Sequence, residues 1–383
     1  MERDKTPGDK PREKRRPEAA KDSKAAAQVL FLPSRASDSP LAIGERVARL
    51  FAALGLERQL PPRAMVAVKI HLGERGRPAP VPPSWIRPLI TRLEKQGAHT
   101  FLTDSCTLYR GGRSNAIAHL RLATERGFTL EGAGAPFIVA DGLLGEASIE
   151  VPIAGHHHRT VHVAQVAVRA TALVTLSHFT GHMGTSFGAA IKNLGMGLAA
   201  RAGKLQQHAV AKPSVDTSAC AGCGVCLEVC AADAIDFADG VARIEPQICT
   251  GCGQCITVCY TEGIRADYGA GTKLLQERIA EHALGVVQGK AGLCAHLSFL
   301  MKVTPNCDCL GQPEPALFTD IGILASEDPV AIDQAACDLV IERTGKPIHH
   351  WCGRELDPDW QLAHSEAIGL GTRRYELREL PLA

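Results

Sequence analysis

The chain has 383 residues, of which 45% are hydrophobic and 22% are charged, and its formal net charge is +1. This composition suits two or three globular domains, and the charge balance gives no electrostatic reason to expect nucleic acid or an anionic membrane as a partner. No apolar run approaches the roughly 18 residues of a membrane span, and the first residues lack the apolar stretch of a secretory signal, so we expect a cytoplasmic protein.

The beginning of the chain, residues 1–27, is predicted to be a disordered tail. Residues 1–24 carry nine basic and six acidic side chains and almost no apolar ones. Such a segment cannot bury enough surface to offset the conformational entropy that folding removes. An arm that binds nucleic acid through Lys14, Arg15 and Arg16 is the less favoured alternative.

From residue 28 onward, short apolar runs alternate with amphipathic helical stretches. The runs predict strands at Gln28–Leu32, Met65–Ile70, His99–Thr103, Pro136–Ala140, Ala170–Ser177 and Phe318–Leu324. The helical patterns lie at Leu41–Leu54, Trp85–Gln96, Asn115–Glu125, Gly184–Ala200 and Pro329–Arg343. Strands that alternate with helices form a mostly parallel sheet covered on both faces, so the predicted fold class is α/β.

A change of composition divides the chain. Residues 213–268 are dense in Cys, Gly and Ala and contain an internal repeat with a period of 29 residues. We therefore predict one α/β domain in two parts, residues 28–212 and 269–383, interrupted by a small module over residues 213–268. The alternative is a separate third domain over residues 270–383, but that stretch holds too few strand signals to form a sheet alone.

Eight of the 14 cysteines form the internal repeat. In a long chain without a secretory signal, clustered cysteines indicate metal binding or redox chemistry rather than a disulfide scaffold. The two runs are Cys220-x2-Cys223-x2-Cys226-x3-Cys230 and Cys249-x2-Cys252-x2-Cys255-x3-Cys259.

The spacing of these runs resembles that of bacterial two-cluster ferredoxins, in which the fourth cysteine of each run ligates the other 4Fe–4S cluster. We therefore predict a small α+β ferredoxin-like module with two such clusters. The first would be held by Cys220, Cys223, Cys226 and Cys259, and the second by Cys249, Cys252, Cys255 and Cys230. Structural zinc is the alternative. Two neighbouring clusters make a one-electron relay, which implies a redox partner protein.

A second block, residues 177–197, follows a predicted strand, where α/β folds place their sites. His178 and His182 are four residues apart, which suits two metal ligands on a helix, although Gly181 and Gly184 favour a loop. The alternative is that both histidines are hydrogen-bonded core residues. Lys192 stands among apolar neighbours, so we expect it to meet an acid, an anion or a cofactor.

A third block carries Cys307 and Cys309, which we expect to be too close for an unstrained disulfide. Paired thiolate ligands or a reactive thiol are then more natural, and two incidental loop cysteines are the alternative. Ser326 is predicted to cap a helix, with Asp328 in its first turn. Asp333 lies on the apolar face of that helix, so it should be buried unless it is paired.

Two further features have less specific interpretations. The run His156 to His158 lies between two apolar strands and is predicted to be an exposed hairpin loop, with adventitious metal binding as the alternative. Cys106 follows a predicted strand end and could be functional, although a lone cysteine is more often a packing residue.

Several long motifs resemble one family. They are VAVKIHLG (66–73), SHFTGH (177–182), AAIKNLGMG (189–197), NCDC (306–309), DIGILASEDPVAIDQAA (320–336) and QLAHSEAIGLG (361–371). These motifs are similar to those of domain-of-unknown-function family 362. The resemblance implies an iron–sulfur center protein with an inserted ferredoxin module. His71 stands where the family more often has Asn.

The function predicted first is an oxidoreductase in which two 4Fe–4S clusters pass electrons to a site in the α/β domain. That site would hold a small-molecule substrate or a third metal centre, and its predicted residues are His178, His182, Lys192, Cys307, Cys309 and Asp333. The alternatives are a non-catalytic electron carrier and a metal or cluster assembly factor. An enzyme requires an enclosed cavity next to the clusters, whereas a carrier requires only an exposed cluster edge.

Overall fold

A computed structural model describes residues 25–109, 111–208, 212–230, 232–249, 254–266, 273–353 and 355–382. The predicted ligand Cys252 lies outside these residues, as does most of the predicted tail. The first strand begins at Ala27.

The strands of the described residues are β1 (Ala27–Pro33), β2 (Met65–Lys69), β3 (His99–Asp104), β4 (Phe137–Val139), β5 (Ser148–Pro152), β6 (Thr160–Ala164), β7 (Ala172–His178), β8 (Thr180–His182), β9 (Ser186–Gly188), β10 (Pro213–Val215), β11 (Ile235–Ala238), β12 (Val241–Ile244), β13 (Ile264–Ala266), β14 (Cys294–Leu300), β15 (Gly322–Ser326) and β16 (Tyr375–Glu379).

The helices are α1 (Pro40–Leu54), α2 (Pro83–Lys95), α3 (Ala116–Glu125), α4 (Leu130–Ala133), α5 (Gln165–Arg169), α6 (Ala190–Gly195), α7 (Arg201–His208), α8 (Val225–Glu228), α9 (Gln254–Val258), α10 (Lys273–Val287), α11 (Pro329–Thr344), α12 (Ile348–Trp351) and α13 (Asp359–Ala367). A short 3-10 helix spans Leu56–Arg58. Among the described residues, no helix has both the length and the apolar character that crossing a membrane requires.

The central element is an eight-stranded sheet in the order β16-β1-β15-β14-β7-β2-β3-β4. Only β15 runs against its neighbours β1 and β14, and the other pairs are parallel. The prediction of an α/β fold with a mostly parallel sheet is confirmed.

Apolar side chains alternate between the two faces of this sheet, as the two-residue period of a strand requires. Val29 and Phe31 face a core formed with α6, α10 and α11. Leu30 and Leu32 face a second core, formed with α1 and α2. Because both faces are covered, the central strands are continuous apolar runs.

The sheet takes strands from both sides of the cysteine repeat. Strands β7 and β14 are hydrogen-bonded neighbours, although the repeat lies between them in the chain. The repeat itself has two small antiparallel pairs, β10 with β13 and β11 with β12, around an apolar cluster that includes Cys226 and Cys255.

Three local predictions differ from the structure. The predicted helix Gly184–Ala200 is instead the end of a β8–β9 hairpin followed by the short α6, because residues 180–182 pair with residues 186–188. The predicted strand at Phe318 begins at Gly322. Helix α11 is capped by Asp328 rather than Ser326, because Pro329 occupies its first turn and the Asp328 side chain accepts from two backbone N–H groups.

Candidate functional site

A cavity of about 540 Å³ lies at the edge of the sheet where the parallel strands end. Asp104 ends β3, His178 ends β7, and His71 follows β2. The carboxyl ends of parallel strands meet at one edge, which is where open α/β sheets bind their ligands. The polar side chains of its lining are His71, Asp104, Ser105, Thr107, Tyr109, Arg113, Ser177, His178, Thr180, His182, Lys192, Asn193, Lys204, His208, Cys307, Asp308 and Cys309.

Five of the six residues predicted for the site line this cavity together, and Asp333 does not. Its buried carboxylate accepts from the backbone N–H groups of Ala190 and Ile191, at 2.8 and 2.9 Å. Burial raises the pKa of Asp333 to about 7, although these two hydrogen bonds act in the opposite direction. Asp333 therefore stabilises the first turn of α6, the helix whose Lys192 lines the cavity.

His178 is engaged at both ring nitrogens. Its Nδ1 lies 2.8 Å from Asp308 Oδ2, and its Nε2 lies 2.7 Å from the carbonyl oxygen of Met301. Both partners can only accept, so the ring carries two protons. Burial opposes this charge, but the Asp308 carboxylate outweighs it and raises the pKa of His178. Both ring nitrogens of His178 are occupied by these acceptors, as the alternative of a hydrogen-bonded core histidine predicts, and neither is available to a metal ion in this arrangement.

Cys307 and Cys309 are joined by a disulfide, contrary to the prediction of separate thiols. Their Cα atoms are 5.3 Å apart, which is within the ordinary range for a disulfide. The chain turns at the intervening Asp308, whose carboxylate is bound by His178 and lies 3.5 Å from Arg77 Nη2. The ion pairs of Asp308 thus fix the segment that carries the two sulfurs.

Lys192 and His182 approach this disulfide from the other side of the cavity. Lys192 Nζ lies 3.6 Å from Cys307 Sγ. Burial, with a smaller contribution from the Arg113 charge, lowers the pKa of Lys192 to about 8. A ring nitrogen of His182 and the two sulfurs lie within 4.8 Å of one another. Once reduced, the pair and His182 would be a three-donor group with a cation beside it.

A buried ion pair in the wall of the cavity was not among the predicted site residues. Lys69 Nζ lies 3.0 Å from Asp104 Oδ1 and donates to Asn193 Oδ1 at 2.6 Å. Burial alone would raise the pKa of Asp104, but Lys69, His119 and Arg113 hold it well below its usual range. The signal was available in the sequence, since a lysine inside the apolar strand run VAVKI must be paired.

A glycine makes room for this pair. A Cβ at Gly197 would lie 2.7 Å from Lys69 Nζ and 2.2 Å from the carbonyl oxygen of Asn193. Any side chain at Gly197 would therefore force Lys69 away from Asp104.

The lining is rich in cations. Arg113, Lys192, Lys204 and the charged His178 face Asp104 and Asp308. Both acids already have partners outside the cavity, in Lys69 and Arg77. The electrostatics of the cavity therefore favour an anionic ligand.

Cys106 does not line this cavity. It is fully buried, and its backbone N–H donates to Asp141 at 2.9 Å. Burial and the nearby Asp141 carboxylate raise the pKa of the Cys106 thiol, which makes it unreactive. Cys106 is therefore a packing residue, which was one of its two interpretations from the sequence.

In the cysteine repeat, four cysteines line one small cavity: Cys220, Cys223, Cys226 and Cys259. Three come from the first run and one comes from the end of the second run, which is the set that the ferredoxin spacing predicts for one cluster. Burial and the neighbouring thiols raise the pKa of Cys226. Among the described residues, no three sulfurs of the repeat lie within 4.8 Å of one another.

The repeat and the large cavity share a wall. Leu108 lines the cavity and packs against the apolar cluster that includes Cys226 and Cys255. Leu205 of α7 belongs to that cluster, while Lys204 on the same helix lines the cavity. One layer of side chains therefore separates the two.

A protein-family model described as "Domain of unknown function (DUF362)" matches residues 66–338. The chain belongs to the DUF362 family. The matched range contains both the cysteine repeat and every residue that lines the large cavity. No curated protein matches the chain significantly.

Two solved structures are similar to this DUF362 chain. One is the lactate racemase apoprotein from Thermoanaerobacterium thermosaccharolyticum, at 11% identity and a TM-score of 0.43, covering 82% of this chain and 57% of that one. The other is a protein from Thermotoga maritima, at 12% identity and a TM-score of 0.43, covering 82% of this chain and 61% of that one. The chain thus spans less than two thirds of either structure.

Proposed function

We propose that this DUF362 protein is an iron–sulfur oxidoreductase that uses electrons from its cysteine module, residues 213–268, in the large cavity of the α/β domain. The observation that carries the proposal is the wall that the two share, formed by Leu108 and α7. An electron carrier needs no enclosed cavity, whereas an enzyme needs one beside its relay. A soluble redox partner in the cytoplasm would supply the electrons.

The proposed cofactors are two 4Fe–4S clusters, each of which would supply one electron when bound. Cys220, Cys223, Cys226 and Cys259 would hold the first, and Cys249, Cys252, Cys255 and Cys230 the second. A mononuclear zinc site fits less well, because sulfurs that share a zinc ion at about 2.3 Å lie about 3.8 Å apart. The described sulfurs have no group of three even within 4.8 Å.

The group in the cavity that can receive two electrons is the Cys307–Cys309 disulfide. Its reduction breaks the S–S bond, takes up two electrons and two protons, and forms two thiols. Lys192 at 3.6 Å is placed to stabilise a Cys307 thiolate and to donate a proton. The rigid ion pairs of Asp308 would hold both sulfurs in place through the change.

The substrate class proposed for this site is a small anionic molecule. The cavity volume of about 540 Å³ is in the range of small-molecule sites. Arg113 pairs with Asp104 at 3.3 Å, and Lys192 and Lys204 provide further positive charge in the lining. Substrate would bind next to the sulfurs, with negative charge that develops on it held by Lys192.

The test is dithiol formation that depends on the cysteine module. The anaerobic protein is reduced with dithionite and alkylated. The mass of the peptide that contains Cys307 and Cys309 is then measured by mass spectrometry. We expect two added alkyl groups in the wild type and a large loss of labelling in a Cys220→Ser/Cys223→Ser variant. Equal labelling in both proteins would overturn the proposed electron route.

The donor group of His182, Cys307 and Cys309 favours one second candidate, a metal or cluster assembly factor. Such a protein would bind a labile metal ion at the reduced pair and release it to an acceptor. Metal bound in the Cys307/Cys309 region and transferred to an apoprotein would favour this candidate over the oxidoreductase.

A further inference from the structure

A second group of metal-binding side chains lies away from the cavity, where the His156–His158 hairpin meets two helices. His157 lies in the β5–β6 loop, Glu277 on α10 and His364 on α13. One donor atom from each residue lies within 4.8 Å of the others. His157 Nε2 is 2.8 Å from Glu277 Oε2, and His364 Nδ1 is 3.9 Å from Glu277 Oε1. None of the three lines the large cavity.

A buried carboxylate stands behind this group. Glu281 accepts from the backbone N–H groups of His156, His157 and His158 at 2.6, 2.8 and 2.9 Å. It also lies 3.3 Å from His364 Nε2. Glu281 thereby fixes the loop that presents His157 and sets the orientation of the His364 ring.

The contact between Glu281 and His364 also selects a tautomer. A carboxylate only accepts, so His364 Nε2 carries a proton and donates it to Glu281. The other ring nitrogen, Nδ1, lies 3.9 Å from Glu277 Oε1, beyond hydrogen-bond distance. Either a second proton on the ring or a metal ion bound by both groups satisfies this contact, and the zinc measurement below distinguishes the two.

This arrangement is the one that protein metal sites use. A metal-bound histidine usually donates its other ring N–H to a carboxylate, which orients the ring and makes it a stronger ligand. Two histidines and one carboxylate form a common ligand set for zinc and for non-haem iron, with further positions left open. Of the charged groups nearby, Lys273 also contacts Glu277, at 3.7 Å, but its side chain is 61% exposed and can move away.

We propose that His157, Glu277 and His364 bind one divalent transition-metal ion, with Glu281 as the positioning residue. The His156–His158 loop is then a metal-binding loop rather than a merely exposed hairpin. The ion would join the β5–β6 loop to α10 and α13. The proposal does not depend on the oxidoreductase function, because it shares no residue with the cavity.

The experiment measures zinc binding to the full-length protein with its clusters in place. Zn²⁺ alone is the probe, and a Cys307→Ser/Cys309→Ser background removes the sulfur donors of the cavity. Equilibrium dialysis followed by elemental analysis gives the number of zinc ions per chain. Zinc X-ray absorption then identifies the ligand atoms.

We expect about one Zn²⁺ per chain in this background, with nitrogen and oxygen ligands. His157→Ala and Glu277→Gln should weaken binding at least tenfold, and Glu281→Gln by about 10- to 100-fold. His350→Ala, at an exposed histidine elsewhere, is the matched control and should bind as before. His157 is exposed, so its variant should keep the far-UV circular dichroism of the parent.

Three outcomes would overturn the proposal. One is no bound zinc in the background protein. Another is equal zinc binding by the His157→Ala variant and the parent. The third is sulfur among the zinc ligands, which would place the ion at other cysteines.

Discussion

The cysteine module and the cavity, although they share a wall, are held together in opposite ways. In the module, short strands and one-turn helices present cysteines around a small apolar cluster, in which Cys226 and Cys255 are buried. In the cavity, buried side chains of opposite charge are paired, Lys69 with Asp104 and His178 with Asp308. The side chains of the cavity are therefore preorganised by buried ion pairs, whereas those of the module pack around an apolar cluster.

This contrast predicts which property of each region a substitution should change. Burial and the neighbouring thiols raise the pKa of Cys226, so a bound cation would favour its thiolate. Buried ion pairs instead lose several kcal/mol when one partner is removed, because the other charge is left unpaired. Substitutions in the module should therefore change metal content, and substitutions in the cavity should change stability and reactivity.

The largest effect is expected from removing one predicted cluster ligand. Cys226→Ala should reduce the iron content from about eight to about four atoms per chain, because a 4Fe–4S cluster needs four thiolates. Cys106→Ala, at an equally buried cysteine that is no ligand, is the control and should keep its iron. Anaerobic iron and sulfide analysis makes the measurement. Unchanged iron in the Cys226 variant would contradict the ligand assignment.

The next effect is the loss of a buried ion pair in the cavity. Asp308→Asn should lower the free energy of unfolding by about 3–5 kcal/mol near pH 6, because His178 and Arg77 lose their partner. Anaerobic urea unfolding followed by circular dichroism measures the change. Asp236→Asn, at an exposed carboxylate of the module, is the control and should change little.

The pH dependence of that loss follows from both pKa shifts. Burial opposes charge on Asp308, but His178 and Arg77 outweigh it and lower the pKa of Asp308 to about 2. The contribution of Asp308 is thus present above about pH 4 and lost as the pH falls towards 2. The contribution of His178 to stability is present below about pH 6.5. It is lost as the pH rises through the raised pKa of His178. A difference that grows above pH 8 would be inconsistent with this pairing.

A smaller effect concerns the reactivity of the reduced disulfide. Lys192→Met should slow the alkylation of Cys307 by iodoacetamide about tenfold at pH 7, where Lys192 is mostly an ammonium group that favours the reactive thiolate. Peptide mass spectrometry of timed samples gives the rate. Lys302→Met, at an exposed lysine just before the Cys307 loop, should leave it unchanged. An equal rate in the Lys192 variant would show that Lys192 does not act on Cys307.

The smallest effect is expected at the surface of the module. Arg243 and Asp239 form an ion pair at 3.1 Å, but their side chains are 61% and 88% exposed. Arg243→Ala should therefore change the free energy of unfolding by less than about 0.5 kcal/mol and leave the iron content unchanged. A loss of iron in this variant would mean that the module depends on surface charge as well as on its cysteines.

The two regions also differ in how far the sequence predicted them. The cysteine runs are local, and their resemblance to the two-cluster ferredoxin pattern predicted which four thiols line the small cavity of the module. The residues of the large cavity come from distant segments, which only the order of strands β2, β3, β7 and β14 brings together. Sequence reasoning found five of its residues but not the ion pair of Lys69 with Asp104.

The roles of individual residues were harder to predict than their presence. Asp333 is both buried and paired, and its carboxylate accepts from backbone N–H groups and does not line the cavity. The disulfide was not predicted, because the turn at Asp308 that brings Cys307 to Cys309 depends on ion pairs with His178 and Arg77. Such partners, 130 residues away in the case of His178, leave no local pattern.

The most direct test of the link between module and cavity is an electron count. Stoichiometric reduction of the anaerobic protein, followed by absorption, gives the number of electrons taken up per chain. We predict about four electrons for the wild type, one for each cluster and two for the disulfide, and about two for the Cys307→Ser/Cys309→Ser variant. About two electrons in both proteins would contradict the account, because the cavity would then receive none.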